Sequence, residues 1–176
     1  RSAQPTAYPS KGNLLPISTI LCRLSNLIGS QVCDPGIDQE RNRGAALHQE
    51  VCRALGYASY QDNGRFPDVL HQLLEVKLQT SQTIDLGLVM PSSEKPLDMP
   101  KLEGAQLRHC DVRYALFYGA SNGGIVTLSH VILVTGMKFF KRCPQFGGKV
   151  LNKKLQIPLP RDFFASKTER LPNEVT

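Results

Sequence analysis

The sequence has no long apolar run. Its cleanest stretch toward the C-terminal half, Val131-Ile132-Leu133-Val134, is far too short to span a bilayer. No signal-peptide pattern opens the chain, since Arg1-Ser2-Ala3-Gln4-Pro5 is polar. C-x-x-C pairs are missing as well. The five cysteines, Cys22, Cys33, Cys52, Cys110 and Cys143, are scattered and odd in number, which argues against a disulfide framework or a zinc knuckle. Free cysteines of this kind behave as small hydrophobes and fit a reducing cytoplasm. Internal repeats and low-complexity blocks are also lacking. A hydrophobic share of 41% excludes a disordered chain.

What is present is a chain of 176 residues, long enough to bury a sizeable core without a metal or disulfide staple. Lys plus Arg number 21 and Asp plus Glu 15, a net charge of +6. That excess favours polyanionic partners, with nucleic acid first and an anionic membrane surface second. The plainer alternative is a soluble protein with no such partner. The chain begins with Arg1 rather than Met, so it is read as a piece of something longer.

Residues 1–13 show little periodicity and read as a linker or tail. Leu14, Leu15, Ile17, Ile20, Leu21, Leu24, Leu27 and Ile28 follow a helical spacing over residues 14–29, with Pro16 in the first turn and Gly29-Ser30 as the stop. Residues 33–40 form a polar loop around Pro35-Gly36. A second helix is expected from Arg43 to Leu55, with Leu47, Val51, Ala54 and Leu55 as its apolar stripe and Gly56 as its end. On a wheel of about 100° per residue, Glu50 lies roughly 40° from Ala54 and borders that stripe.

Short strands are expected at Phe66–Leu70, Leu73–Gln79 and Ile84–Met90, followed by a loop from Pro91 to Pro100. Val112–Gly119 and Ile125–Val134 read as a hairpin closed at Asn122-Gly123-Gly124. Gly136–Arg142 reads as a short helix and Leu155–Leu159 as a last strand. Helices first and strands after predict an α/β (α+β) domain, a central mixed β-sheet flanked by helices.

The chemistry concentrates in one segment. From Leu74 to Gln79 apolar and polar residues alternate strictly, so Glu75, Lys77 and Gln79 share one face of a strand while Leu74, Val76 and Leu78 share the other. Asp68 precedes Glu75 by seven residues. A turn at residues 70–72 would bring Asp68 onto the neighbouring strand, where the two carboxylates converge beside the ammonium. Such a pair suits a hard divalent cation that keeps several waters. The cation lowers the pKa of a bound water and neutralises charge on a phosphodiester, and a lysine alongside orients or deprotonates that water. The plainer alternative is an exposed Glu75–Lys77 salt pair, with Asp68 capping a turn.

Pro67-Asp68, a short gap, then Glu75-Val76-Lys77 resembles the signature of the PD-(D/E)XK nuclease superfamily, most of all type II restriction endonucleases. The resemblance covers about residues 43–90. It implies a restriction-endonuclease-like core over residues 14–176 and a Mg²⁺-dependent double-stranded DNA endonuclease that leaves 5′-phosphate and 3′-hydroxyl ends. Mn²⁺ is the expected substitute metal. Asp68 and Glu75 would ligate the metal, Glu50 would join as a further ligand or nearby acid, Lys77 would activate or orient water, and Gln79 would assist.

A restriction enzyme implies a prokaryotic cytoplasm, no membrane partner and, on a palindromic site, a homodimer. A portion N-terminal to this chain would supply recognition or regulation. The alternatives are a structure-specific repair or recombination nuclease of the same fold, and a DNA-binding module whose catalytic site is vestigial.

Asp85 is expected either near the metal or binding backbone amides in a turn. The four histidines, His48, His71, His109 and His130, show no metal-ligand spacing. From residue 138 to 161 there is no acidic residue. Lys138, Lys141, Arg142, Lys149, Lys153, Lys154 and Arg161 there are candidates for DNA contact, joined by Arg108 and Arg113. The plainer alternative is a solvated basic face.

Overall fold

The computed structural model describes residues 3–34, 40–81, 83–143 and 156–158, with 40–43, 83 and 156–158 described as backbone only. The chain is a mixed α+β protein. Helix α1, Ile17–Ser25, starts on Pro16, whose carbonyl accepts the Ile20 N–H at 3.1 Å. Proline suits this place because no helical donor is needed there. Ile20 and Leu24 are fully buried. Helix α2, Glu40–Leu55, is stopped by Gly56 at φ +90°. The Tyr57 N–H reaches the Cys52 carbonyl and the Gly56 N–H the Arg53 carbonyl, a paired closure that needs the left-handed conformation glycine adopts freely. Arg23 of α1 donates to the Leu55 carbonyl at 2.6 Å, placing a cation at the negative end of α2.

Among the described residues there are six strands: β1 Gln31–Cys33, β2 Leu74–Gln79, β3 Thr83–Asp85, β4 Arg113–Asn122, β5 Ile125–Thr135 and β6 Gln156–Pro158. Four of them form one mixed sheet in the order β1-β5-β4-β2. β4 and β5 are an antiparallel hairpin, β1 is antiparallel to β5, and β2 is parallel to β4. The hairpin turns at Gly123 and Gly124, both at positive φ, as a two-residue hairpin with this right-handed twist requires. β3 and β6 pair as a small second sheet.

The main sheet buries both faces. Leu74, Val76, Ala115, Phe117, Val126 and Leu128 pack against Leu47, Val51, Cys52 and Leu55 of α2 and Ile20 and Leu24 of α1. Tyr114, Leu116 and Val134 pack on the opposite side against Ile84, Leu86, Leu97, Leu107 and Phe139. This second layer comes from residues 84–112 and from α3, Phe139–Arg142, so it is mainly irregular chain, and the two long helices share one face.

Four expectations differ from the structure. The first helix, expected over residues 14–29, spans only Ile17–Ser25. Phe66–Leu70 is not a strand. Only Val69 pairs there, in a single antiparallel bridge to Leu74, and Leu70–Gln72 is a 3₁₀ turn. The strand expected at Ile84–Met90 stops at Asp85, because the Asp85 carboxylate accepts the Gly87 N–H at 2.9 Å and Gly87 sits at φ +81°. β1 is not expected from the sequence: it lies between the first predicted helix and the polar loop of residues 33–40, shares only Cys33 with that loop, and is held by its pairing with β5. The segment 3–13, expected as a linker or tail, carries no helix or strand. It is nevertheless pinned to the body: His71 donates its N–H to the Pro5 carbonyl at 3.0 Å, and Gln72 donates to the Asn13 carbonyl at 2.7 Å.

Candidate functional site

The site forms where the chain enters β2. Val69 and Leu74 exchange both backbone hydrogen bonds, at 2.9 and 3.1 Å, and residues 70–73 close the turn between them. Leu73 takes φ +49°, a left-handed conformation unfavourable for a bulky side chain. Its burial in the second core layer, at 3% exposure, holds it there. Gln72 fastens the turn from the other side, its Oε1 accepting the Leu15 N–H at 2.8 Å. His71 adds a contact of 2.8 Å between its Nδ1 and the Tyr57 hydroxyl.

This closed turn places Asp68 and Glu75 side by side. The Asp68 N–H donates to Glu75 Oε2 at 3.2 Å, and the Val76 N–H donates to Asp68 Oδ2 at 2.8 Å. Each carboxylate thus binds the backbone of the other's segment. β2 is an edge strand of the main sheet, which leaves the Val76 N–H free of sheet pairing for this bond. Lys77 returns along the same face, with Nζ 2.7 Å from Glu75 Oε1.

Glu75 is only 5% exposed, so its charge is poorly solvated. Burial, then the Asp68 charge, push its carboxyl up to about 7 despite the opposing Lys77. Asp68 is raised too, chiefly by burial, against the Val76 hydrogen bond and the Lys77 charge. The two acids titrate as a pair. Burial alone would lower the Lys77 ammonium. Glu75, Asp68 and Asp85 outweigh it and hold the pKa above its usual value, so Lys77 stays a cation.

Asp85 binds a backbone amide in a turn, the second of the two roles considered for it, and its charge also bears on Lys77. Gln79 lies on the same strand face, half-buried. Glu50 is half-buried on α2 and paired with Arg53 at 2.7 Å. Among the described residues no group of three or more His, Cys, Asp or Glu side chains is arranged to hold a metal ion. Lys138, Lys141 and Arg142 are exposed around α3, while Lys149, Lys153, Lys154 and Arg161 lie outside the described residues. Arg113 is spent on structure, donating to the Leu15 carbonyl at 2.6 Å, and Arg108 pairs with Glu94 at 3.2 Å.

Two neighbours were not singled out from the sequence. Asp62, in the loop after α2, is one of the charges that raise Asp68. His48, buried on α2, feels both Asp62 and Glu75, but burial dominates and keeps it neutral. Its Nε2 lies 3.4 Å from Cys52 Sγ, and its Nδ1 is buried with no partner among the described residues. The spacing of four between His48 and Cys52 on the apolar stripe was the signal available. Asp62 offered only a turn-like Asp-Asn-Gly context. The Cys52 thiol is pushed up to about 12 by burial, which makes it inert as a nucleophile.

No protein-family model matches the chain, and neither the curated proteins nor the solved structures give a match. Among the described residues no helix is long and apolar enough to cross a membrane.

Proposed function

We propose that this chain is a Mg²⁺-dependent DNA endonuclease of the PD-(D/E)XK kind, with a restriction-endonuclease-like core. One observation carries the reading: Asp68, Glu75 and Lys77 converge at a sheet edge, with the half-buried Asp68 and the buried Glu75 hydrogen-bonded to each other's segments. Two desolvated carboxylates side by side, with the Asp68 charge raising the pKa of Glu75, are a natural seat for a divalent cation, which would hold both ionised. Two acids are also enough for Mg²⁺, which usually keeps several waters and takes oxygens from a phosphate substrate. Glu50 would join them only by leaving its pair with Arg53.

When bound, the metal supplies a water of lowered pKa and neutralises charge building on the phosphodiester. Asp68 and Glu75 hold it. Lys77, kept protonated by its acidic neighbours, orients the attacking water and meets negative charge on the phosphate as it develops. It acts as a donor and not as the base. The excess of +6 draws the DNA in.

Supercoiled plasmid incubated with Mg²⁺ tests the proposal. Cleavage is expected to stop in chelator, to leave 5′-phosphate ends, and to fall about 10²- to 10³-fold in Lys77→Ala. Equal cutting in chelator, or undiminished cutting by Lys77→Ala, sinks it. Cutting confined to one fixed sequence supports a restriction enzyme, and cutting confined to branched or unpaired DNA supports the repair nuclease.

A further inference from the structure

Phe66 lies two residues before Asp68 and is 37% exposed as a residue. It stacks on His109 with ring centroids 5.1 Å apart and planes inclined by 22°. Its centroid is 6.5 Å from that of Tyr114, the residue in register with Glu75 on the adjacent strand. The aromatic pair therefore borders the acid–lysine site from the side of residues 93–111. Three exposed cations flank it along the chain. Arg65 precedes Phe66 and donates to the Tyr8 hydroxyl at 2.6 Å, Arg108 precedes His109 and pairs with Glu94, and Lys95, whose carbonyl accepts the His109 N–H at 3.1 Å, acts on the His109 ring through its charge. A large ring left in water is informative where it stands beside a reactive centre. Aromatic faces combined with cations are the means by which proteins bind unpaired nucleotides.

We propose that the Phe66–His109 stack is a nucleobase platform that takes the base next to the scissile phosphodiester, turned out of its helical stack, while Lys95 and Arg65 face the flanking phosphates and Arg108 joins them by leaving its pair with Glu94. The ligand class rests on the nuclease reading above. Stacking tolerates any base, since every base presents a π-face. Turning a base out costs least where it is mismatched or already single-stranded. DNA with an unpaired nucleotide at the cut is therefore the favoured substrate, and a fully paired duplex must be locally opened.

The test uses the full chain in chelator, titrated against a single-stranded oligonucleotide of about 12 nucleotides carrying one central 2-aminopurine, a length within the reach of a single-strand groove. The wild type should quench the probe on binding. Phe66→Leu keeps an apolar cover over Tyr114 but has no aromatic face. It should lose the quenching and bind about ten- to a hundredfold more weakly. Phe66→Tyr should restore both to within about threefold, which separates loss of stacking from loss of folding. Phe66→Leu that binds and quenches like the wild type overturns the platform, as does a wild type that binds without quenching.

Mg²⁺-dependent plasmid cleavage by the same preparations keeps the two proposals apart. Cleavage that depends on Lys77, with binding indifferent to Phe66, overturns the platform alone. Quenching that depends on Phe66, with no cleavage at all, overturns only the nuclease reading.

Discussion

Glu75 commits Oε1 to Lys77 and Oε2 to the Asp68 N–H, yet it remains a buried acid beside a second acid. Its pKa near 7 compares with 4.5 for an unburied glutamate. Between those values the folded protein keeps a proton that the unfolded chain has lost, so stability falls as pH rises through the window. The change ends above about pH 7, where both states are ionised. At 1.36 kcal/mol per pKa unit the whole effect is about 3 kcal/mol. Buried neutral histidines such as His48 titrate with the opposite sign, so the comparison must be with Glu75→Gln. Metal-free urea unfolding of both proteins from pH 4.5 to 8 should show the wild type losing stability relative to the variant, and parallel curves would refute the assignment. Adding Mg²⁺ at pH 7 should raise the wild-type midpoint with release of protons. Glu75→Gln should gain much less.

The turn from Val69 to Leu74 is the element on which the site depends, because it converts a separation of seven residues into contact. Gln72 secures it by joining Leu15 and Asn13 to the turn. Gln72→Leu leaves the Leu15 N–H and the Asn13 carbonyl without these partners. It should cost about 1–3 kcal/mol, measured by urea midpoint, and should lower the affinity for Mg²⁺ as the two acids separate. Unchanged stability would show that the segment before α1 is not a fastening.

The β4–β5 hairpin depends on Gly119, where the register shifts after Tyr118. A Cβ there would stand 2.4 Å from Val126 Cγ1 and 2.8 Å from the Thr127 carbonyl. Gly119→Ala should therefore destabilise by about 1–3 kcal/mol, read from the same unfolding curves.

For the whole molecule the net charge matters more than any one pair. Residues 138–161 carry seven basic and no acidic residues and so account for the whole excess of +6, and the proposed DNA binding in chelator should weaken steeply with salt. Four to six phosphate contacts imply a loss of about 10²- to 10³-fold between 50 and 200 mM monovalent salt. A flat salt dependence would show that the basic residues are only a solvated face. Part of the acid-free stretch, residues 144–155 and 159–161, lies outside the described residues. The test therefore addresses the whole chain, and charge reversal at Lys138 and Lys141 addresses the exposed cations beside α3.

Local rules were enough wherever a feature is made by neighbours in sequence. The apolar stripes of α1 and α2, the alternation of β2 and the Asn122-Gly123-Gly124 turn are all legible, because each depends on period or backbone freedom within a few residues. The Asp68–Glu75–Lys77 group is legible for the same reason, being one short segment folded back on itself.

Tertiary structure decided what depends on partners far along the chain. It made β1 a strand by offering β5 as its edge, and denied Phe66–Leu70 that status because only Val69 finds a mate. It set Asp62 and His48 near the acids, occupied Arg113 with Leu15, and laid Phe66 on His109. Burial did the rest. A carboxylate in sequence is an ordinary acid, and only a dry edge shared with a second carboxylate lifts it to near neutral pH, where a divalent cation can compete with its proton.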